Sequence, residues 1–296
     1  MILNQTLAIL GGDSRQLSLV KRLCQEKLEV RAFGLPFDDL AADVNCCKDW
    51  KEAIEGAAAV ILPLPASPDG RRVHMPLVTA YEAPLLADVF EAAGEALIIG
   101  GKFSPSAKAL AEEKGKQLFD FFENEEFQQK NALPTAEGAV SILMRELPCT
   151  VRDLPVAVTG YGRVSKALVR LLLGMGARVT VGARKERDLL AARALGCRTV
   201  RLTDQGAVSL LAKGQAAVLN TVPHWLFTDD VLRNMEDRPL MIDLASAPGG
   251  IDGGAAAARG IRVIWALSLP GKYAPATAGE IIGDTVLAYL REEGIV

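Results

Sequence analysis

Gly160 and Gly162 stand one residue apart at the end of the apolar run Val156 to Thr159. Val164, Ala167, Leu168, Leu171, Leu172 and Met175 then recur at helical spacing. A strand, a glycine turn and a helix in that order frame a dinucleotide site. The first glycine permits the turn, the second lets backbone approach a pyrophosphate, and a small third residue lets helix and strand pack. Ser165 fills that third slot, where glycine or alanine is usual. Gly160, Gly162, Arg163 and Val164 are therefore the expected cofactor contacts on this turn. An NAD site places an Asp or Glu about 20 residues further on, against the ribose hydroxyls. Here Gly182 holds that place, and Ala183, Arg184 and Lys185 follow. Two cations and no carboxylate predict NADP, because a charge-assisted hydrogen bond to a 2′-phosphate is worth about 1.5–3 kcal/mol. The stretches "LNTVPHW", with Thr221, Val222 and Pro223, "IDLASAPGGID" and "ALSLPGKYAPATAGE" are expected to line the nicotinamide crevice.

A second glycine turn opens the chain, in "LAILGGDSRQLSLVKRL". Its glycines, Gly11 and Gly12, are adjacent, Asp13 stands where a pyrophosphate would pass, and the following strand ends "AFGLPFDD" without a ribose-binding pair. It has the frame of a nucleotide turn and the wrong residues for one.

The elements that must position both turns follow from the pattern. Short β-rich runs alternate with helical patterns throughout, which argues for parallel sheets flanked by helices. The first half gives the strands "TLAIL", "EVRAF", "AAVILPL", "ALIIGG" and "KQLFDFF"; the second gives "VAVTG", "RVTVGA", "RTVRL", "AAVLNTV", "LMIDLA" and "RVIWAL". The predicted fold is α/β, with two doubly wound parallel-sheet domains, the second a Rossmann domain. The expected boundaries are 1–133 for the first domain and 149–275 for the second. Residues 134–148, "PTAEGAVSILMRELP", are expected to form a bridging helix started by Pro134. The terminal stripe Ile281, Ile282, Thr285, Val286, Tyr289 and Leu290 predicts a helix over 276–296 that crosses back to the first domain.

The chain has 296 residues, half of them hydrophobic, enough for two cores. Its net charge is −3 and no dense Lys/Arg cluster is present, which argues against a nucleic-acid partner. No stretch nears the roughly 20 apolar residues that span a bilayer, and a soluble cytoplasmic protein is expected. Two histidines, His74 and His224, and five cysteines without C-x-x-C spacing offer no metal site; the cysteines are expected reduced.

The phrases "LGGDSRQ", "NALPTAEGAV", "GYGRVSKALV", "VGARK", "NTVP", "IDLASAPGGID" and "LPGKYAPATAGEII" together resemble the dipicolinate synthase A-chain family, the oxidoreductase component of that enzyme in spore-forming bacteria. The resemblance covers nearly the whole chain, and "PTAEGA", "DLASAPGG" and "LPGKYAPATAG" in this order are far more specific than a glycine turn. It implies NADP-dependent oxidation of 2,3-dihydrodipicolinate to dipicolinate in the mother-cell cytoplasm of a sporulating bacterium. It also implies a flavoprotein-like B subunit of dipicolinate synthase as partner, and self-association as a homo-oligomer is expected as well.

A dicarboxylate substrate needs cationic or backbone donors, for which arginine suits best. Gly12, Asp13, Arg15 and Gln16 on the first turn, with Thr135, are the expected substrate contacts. Arg15 is favoured because it begins a helix whose free N–H groups attract an anion; Arg71, Arg72 and Lys102 are further candidates. Asp13, Glu137 and His224 are the candidate proton acceptors, with Arg15 beside them in the catalytic set. Each acceptor has a structural alternative. Asp13 can cap its helix, Glu137 can complete a capping box begun by Thr135 or Pro134, and His224 can pack beside Trp225. Two other functions remain open from the sequence: a different two-domain NADP dehydrogenase acting on an amino or hydroxy acid, and a non-catalytic NADP-binding subunit.

Overall fold

The computed structural model describes residues 5–296, which divide into two compact units. One holds the residues through Asn131 together with Ala274–Val296, and the other is Ala132–Tyr273. In chain order the first unit contains β1 (Thr6–Leu10), α1 (Ser14–Cys24), β2 (Glu29–Phe33), β3 (Asn45–Cys46), α2 (Trp50–Ile54), β4 (Ala59–Ile61), α3 (Leu86–Ala92), β5 (Leu97–Gly100), α4 (Pro105–Glu113) and β6 (Leu118–Asp120). A long helix, α5 (Glu125–Glu146), follows. The second unit continues with β7 (Pro155–Thr159), α6 (Arg163–Gly174), β8 (Arg178–Ala183), α7 (Glu186–Ala194), β9 (Arg198–Arg201), α8 (Gln205–Ala212) and β10 (Ala217–Asn220). It ends with α9 (Asp229–Arg233), β11 (Leu240–Asp243), α10 (Gly253–Ala258), β12 (Val263–Trp265) and α11 (Leu269–Tyr273). The last helix, α12 (Pro275–Glu292), belongs to the first unit.

Each unit is built on a six-stranded sheet, ordered β3-β2-β1-β4-β5-β6 in the first and β12-β11-β10-β7-β8-β9 in the second. All the strand pairs are parallel. Read from β9, the second sheet has the same order as the first, the doubly wound order of a mononucleotide-binding pair. Both sheets therefore have a switch point where the winding reverses, between β1 and β4 and between β7 and β10. Ligands in open parallel sheets bind beyond the carboxyl ends of the strands at that point.

Strand alternation builds a core on both faces of each sheet. Leu7 and Ile9 of β1 pack with Leu19, Leu23, Ile282, Val286 and Leu290 from α1 and α12. Ala8 and Leu10 face the other way, toward Val89, Phe90 and Ala107 from α3 and α4. In β7, Val156 and Val158 face one core and Ala157 the other.

The terminal helix docks as its apolar stripe predicts, and glycines set how closely. A Cβ on Gly279 would lie 2.2 Å from the carbonyl oxygen of Arg15 and 2.7 Å from Ser18 Cβ, so α12 rests directly on the backbone of α1. Phe119 of β6 stacks on Tyr289 with ring centroids 3.7 Å apart.

Three expectations need correction. The first sheet has a sixth strand, β3, and a short helix, α2, neither of which the pattern predicts; β3 has two residues and shows no period. The helix expected over 134–148 begins at Glu125, where Asn124 Oδ1 accepts the Phe127 N–H at 2.9 Å, and Glu125 and Glu126 favour the positive end of the helix dipole. Pro134 lies inside that helix, lacking an N–H to continue the ladder, and does not start it. The units divide within this helix, between Asn131 and Ala132.

Candidate functional site

The two switch points are built differently. At the second, Gly160 donates its N–H to Gly182 O at 2.8 Å and turns at φ +83°. A side chain there would meet Thr221 Oγ1 at 2.9 Å, whereas a Cβ on Gly162 would meet nothing within 4 Å. Gly162 is the N-cap of α6 and supplies no side-chain cap, so the first N–H groups of that helix face outward from a turn with open space beside it. Arg163 and Lys166 are exposed, Val164 is half-buried, and Tyr161 turns its ring into the core.

Ser165 is fully buried and its Oγ lies 2.6 Å from Thr221 Oγ1. Since Thr221 Oγ1 donates to Thr159 O at 2.8 Å, Ser165 is the donor in that pair. The departure from glycine at the third slot is thus a link between the start of α6 and the loop after β10.

Below this turn runs a buried polar network absent from the candidates read in the sequence. Thr159, Asn220 and Asp243 end β7, β10 and β11 and are at most 3% exposed. Asn220 Oδ1 accepts from Thr159 Oγ1 at 2.5 Å and from Val222 N at 3.1 Å, while its Nδ2 donates to Val222 O at 3.0 Å and to Asp243 Oδ1 at 2.8 Å. Asp243 also accepts the N–H groups of Ala245 at 3.1 Å and Gly250 at 2.8 Å. The network fixes two loops, Thr221–Pro223 and Leu244–Gly250, at the carboxyl edge of the sheet. Asp243→Ala strands three buried donors, each costing about 1–3 kcal/mol. Urea unfolding of this variant is expected to show a large drop in midpoint; an unchanged midpoint would show that the loops stand without it.

Arg184 and Lys185 are exposed immediately beyond β8. Glu186 follows them, and its carboxylate is engaged by Arg193 at 2.7 Å and by Arg201. These hydrogen bonds, that from Arg201 foremost, hold the Glu186 carboxyl below its usual range.

At the first switch point Gly11 and Gly12 turn at φ +61° and +113°. Asp13 caps α1 by accepting the Arg15 N–H at 3.1 Å, and it also takes the Arg15 guanidinium, with Nε–Oδ1 at 2.9 Å and Nη2–Oδ2 at 2.7 Å. Nη2 further donates to Leu64 O in the loop after β4. Burial by itself would push the Asp13 carboxyl up, but hydrogen bonding to Arg15 and its positive charge hold it below the usual range. The expectation that this helix end awaits an external anion therefore needs correction. Asp13 supplies the anion, and Arg15, 5% exposed, is committed to it. Gln16 is 1% exposed, packs over Gly12, and its Nε2 is buried without a hydrogen-bond partner among the described residues.

His74, not among the sequence candidates, sits at the same place. Its carbonyl accepts the Gly12 N–H at 2.8 Å and its N–H donates to Ala66 O at 3.0 Å. The half-buried imidazole lies within range of the charges of both Asp13 and Arg15. Burial lowers its pKa, Arg15 adds to that, and Asp13 opposes it.

The remaining candidates are dispersed. Arg72 donates to Ala83 O at 2.6 Å and pairs with Glu82 at 2.7 Å; Arg71 is exposed; Lys102 is exposed with its ammonium 5.9 Å from the Phe122 ring centre. Thr135 and Glu137 lie in the middle of α5, so no capping box forms there. Glu137 is exposed beside a shallow apolar depression lined by Val140, Met144, Leu171 and Met175. His224 and Trp225 are both exposed in the loop after β10. The cysteines are free thiols, Cys46 and Cys47 included. No helix among the described residues is long and apolar enough to cross a membrane.

Two such units in one chain, each with the 3-2-1-4-5-6 order and a glycine turn at its switch point, define a two-domain α/β protein of the dehydrogenase fold. The transhydrogenase of Sinorhizobium meliloti has this fold, with a TM-score of 0.72 at 15% identity over 97% of this chain and 93% of that one. Residues 6–122 match the model of the N-terminal domain of the dipicolinate synthase A subunit. The dipicolinate synthase A subunit of Bacillus subtilis is 29% identical over 99% of this chain and 98% of its own length. The crystal structure of the dipicolinate synthase A subunit from Bacillus halodurans gives a TM-score of 0.89 at 26% identity, covering 98% of this chain and 99% of that one. Across nearly its whole length the chain is similar to dipicolinate synthase A subunits.

Proposed function

We propose that this chain oxidises 2,3-dihydrodipicolinate to dipicolinate with NADP as the hydride acceptor, as the A subunit of a dipicolinate synthase working with a flavoprotein-like B subunit in the mother-cell cytoplasm. The observation that carries the reading is the β7–α6 turn, a glycine turn opening onto an uncapped helix end beside a strand that terminates in two cations. The similarity to dipicolinate synthase A subunits supports the choice of substrate.

NADP, when bound, takes up a hydride. The residues that would hold it are Gly160, Gly162, Arg163 and Val164 along the pyrophosphate, Ala183, Arg184 and Lys185 around the 2′-phosphate, and Thr221, Val222 and Pro223 at the nicotinamide. The open space at Gly162 and the engaged carboxylate of Glu186 both suit an anionic cofactor. The dicarboxylate falls to the first unit, where Gly12, Gln16 and His74 surround the Asp13–Arg15 pair. Oxidation makes an aromatic ring, so the protein chiefly has to orient the substrate and provide a proton acceptor.

The test supplies the purified chain, with and without the B subunit, with enzymatically generated dihydrodipicolinate and either NADP or NAD, and follows dipicolinate absorbance. NADP-dependent growth of the signal is expected. No product under either condition overturns the assignment; product formed equally well without any nucleotide leaves the chain as a non-catalytic subunit.

A further inference from the structure

An NAD site puts an acidic side chain near the end of its second strand, and this chain has little room for one. A Cβ on Gly182 would lie 2.6 Å from Leu211 Cδ2 and 3.2 Å from Leu202 Cδ2, and both leucines are buried in the core. Recognition of the ribose therefore falls to the groups around that strand end. These are Arg184 and Lys185 after β8, Glu186 at the start of α7, and Arg201 at the end of β9. Ala183 and Arg201 are paired in register, so Arg201 leaves its strand one strand spacing, about 4.8 Å, from the last residue of β8.

Glu186 is shared by two arginines that reach it from different elements. Arg193, two turns along α7, donates its Nη2 to Oε1 at 2.7 Å, and Arg201 donates its Nη2 to Oε2. Each oxygen has its own guanidinium, so Arg193 compensates the carboxylate even when Arg201 takes on a second anion. A guanidinium carries five N–H donors. Among the described residues that of Arg201 is hydrogen-bonded through Nη2 alone, and half of the side chain is exposed. Its Nε and Nη1 are left to serve an anion beside Glu186. Asp188, the other acid of this helical turn, lies toward Arg187, with Nε to Oδ1 at 3.7 Å.

We propose that Arg201 reads the 2′-phosphate of NADP, donating Nε and Nη1 to it while Nη2 keeps Glu186, and so sets the preference for NADP over NAD. The proposal rests on the function assigned above and lies wholly within the second unit. A phosphate monoester is the ligand that fits, since it carries close to two negative charges and three acceptor oxygens, two of which match the planar fork of an arginine. The ribose hydroxyl of NAD offers the guanidinium no charge. Arg184 and Lys185 add positive charge at the same strand end, and Arg201 adds a fork that Glu186 holds in place.

The experiment titrates the full chain and its variants with NADPH, NADH, adenosine 2′,5′-bisphosphate and adenosine 5′-monophosphate by calorimetry, with a thermal melt of each variant. The last two ligands differ only in the 2′-phosphate, so the subsite is read without turnover. Arg201→Gln is expected to weaken NADPH and the bisphosphate by about 10- to 150-fold. NADH and the monophosphate should stay within about threefold, and the melt should not move. Glu186→Gln separates contact from neutralisation. In that background Arg201 has no carboxylate to neutralise, and a further loss of about tenfold or more on adding Arg201→Gln supports the contact. A loss that disappears there overturns the proposal and leaves Arg201 as a partner of Glu186 only. So does an Arg201→Gln chain that keeps its NADPH affinity within about threefold, or one that loses NADPH and NADH equally. A wild type that binds NADPH no more tightly than NADH is a different failure: it overturns the choice of NADP, and the role of Arg201 with it.

Discussion

Replacing Arg184 and Lys185 together by neutral residues is expected to weaken NADP binding by about 10- to 150-fold for each hydrogen bond to the 2′-phosphate that is removed. NAD binding should change by less than about threefold. Fluorescence titration with NADPH and NADH separates the two. The asymmetry follows from position, since both cations lie just beyond the strand whose end meets the ribose in this fold, and NAD carries no charge there for them to hold. Glu186 strengthens the expectation. It is the nearest carboxylate in sequence and would repel a 2′-phosphate, but Arg193 and Arg201 neutralise it. Equal weakening of both cofactors would place the two cations on the pyrophosphate or outside the site.

The second large effect is one of stability, and its sign runs against helix propensity. Glycine to alanine in an exposed helix interior stabilises by about 1 kcal/mol. Gly279→Ala is expected instead to destabilise the first unit by about 1–3 kcal/mol, because the added methyl collides with main chain and Cβ atoms that can move only by separating two helices. The colliding atom is the carbonyl oxygen of Arg15, so α12 also braces the residue that holds Asp13. Gly283→Ala is the control. Its Cβ would lie 2.8 Å from Arg22 Cγ and 3.0 Å from Arg22 Cβ, with no main-chain atom among its nearest neighbours, and a smaller loss than that of Gly279→Ala is expected. Denaturant melts of the two variants decide the matter. Equal midpoints would mean that the helices adjust and that their close approach is not enforced.

The doubly wound fold and the return of α12 are legible in the sequence because they rest on periodicity, the β-rich runs in one case and the stripe Ile282, Val286 and Leu290 in the other. The start of α5 is legible too, in Asn124 and the acidic pair after it, but Pro134 gives a competing start signal. At the first switch point the sequence shows Asp13 and Arg15 without showing that they consume each other. Residues two apart on a helix do not face one another, and the pair forms because Asp13 stands off the helix as its cap. His74 is hidden for a different reason: it lies on a long irregular segment with no period, and only the fold brings it to Gly12. Asn220 and Asp243 carry a usable signal, a polar residue closing an apolar strand, which the glycines and prolines beside them overshadow.

The first unit is discontinuous in the chain, and this has a consequence for how the protein is made. A ribosome releases α1 with Leu19 and Leu23 uncovered, then makes all of Ala132–Tyr273 before α12 arrives to cover them. At about 5–20 residues per second that interval is on the order of 10 s. The second unit is contiguous and can fold as it emerges, while the first keeps an apolar helix face open to chaperones and to neighbouring nascent chains. The Asp13 end of α1 receives its brace at Gly279 only with the last helix, so the unit synthesised first is the one completed last.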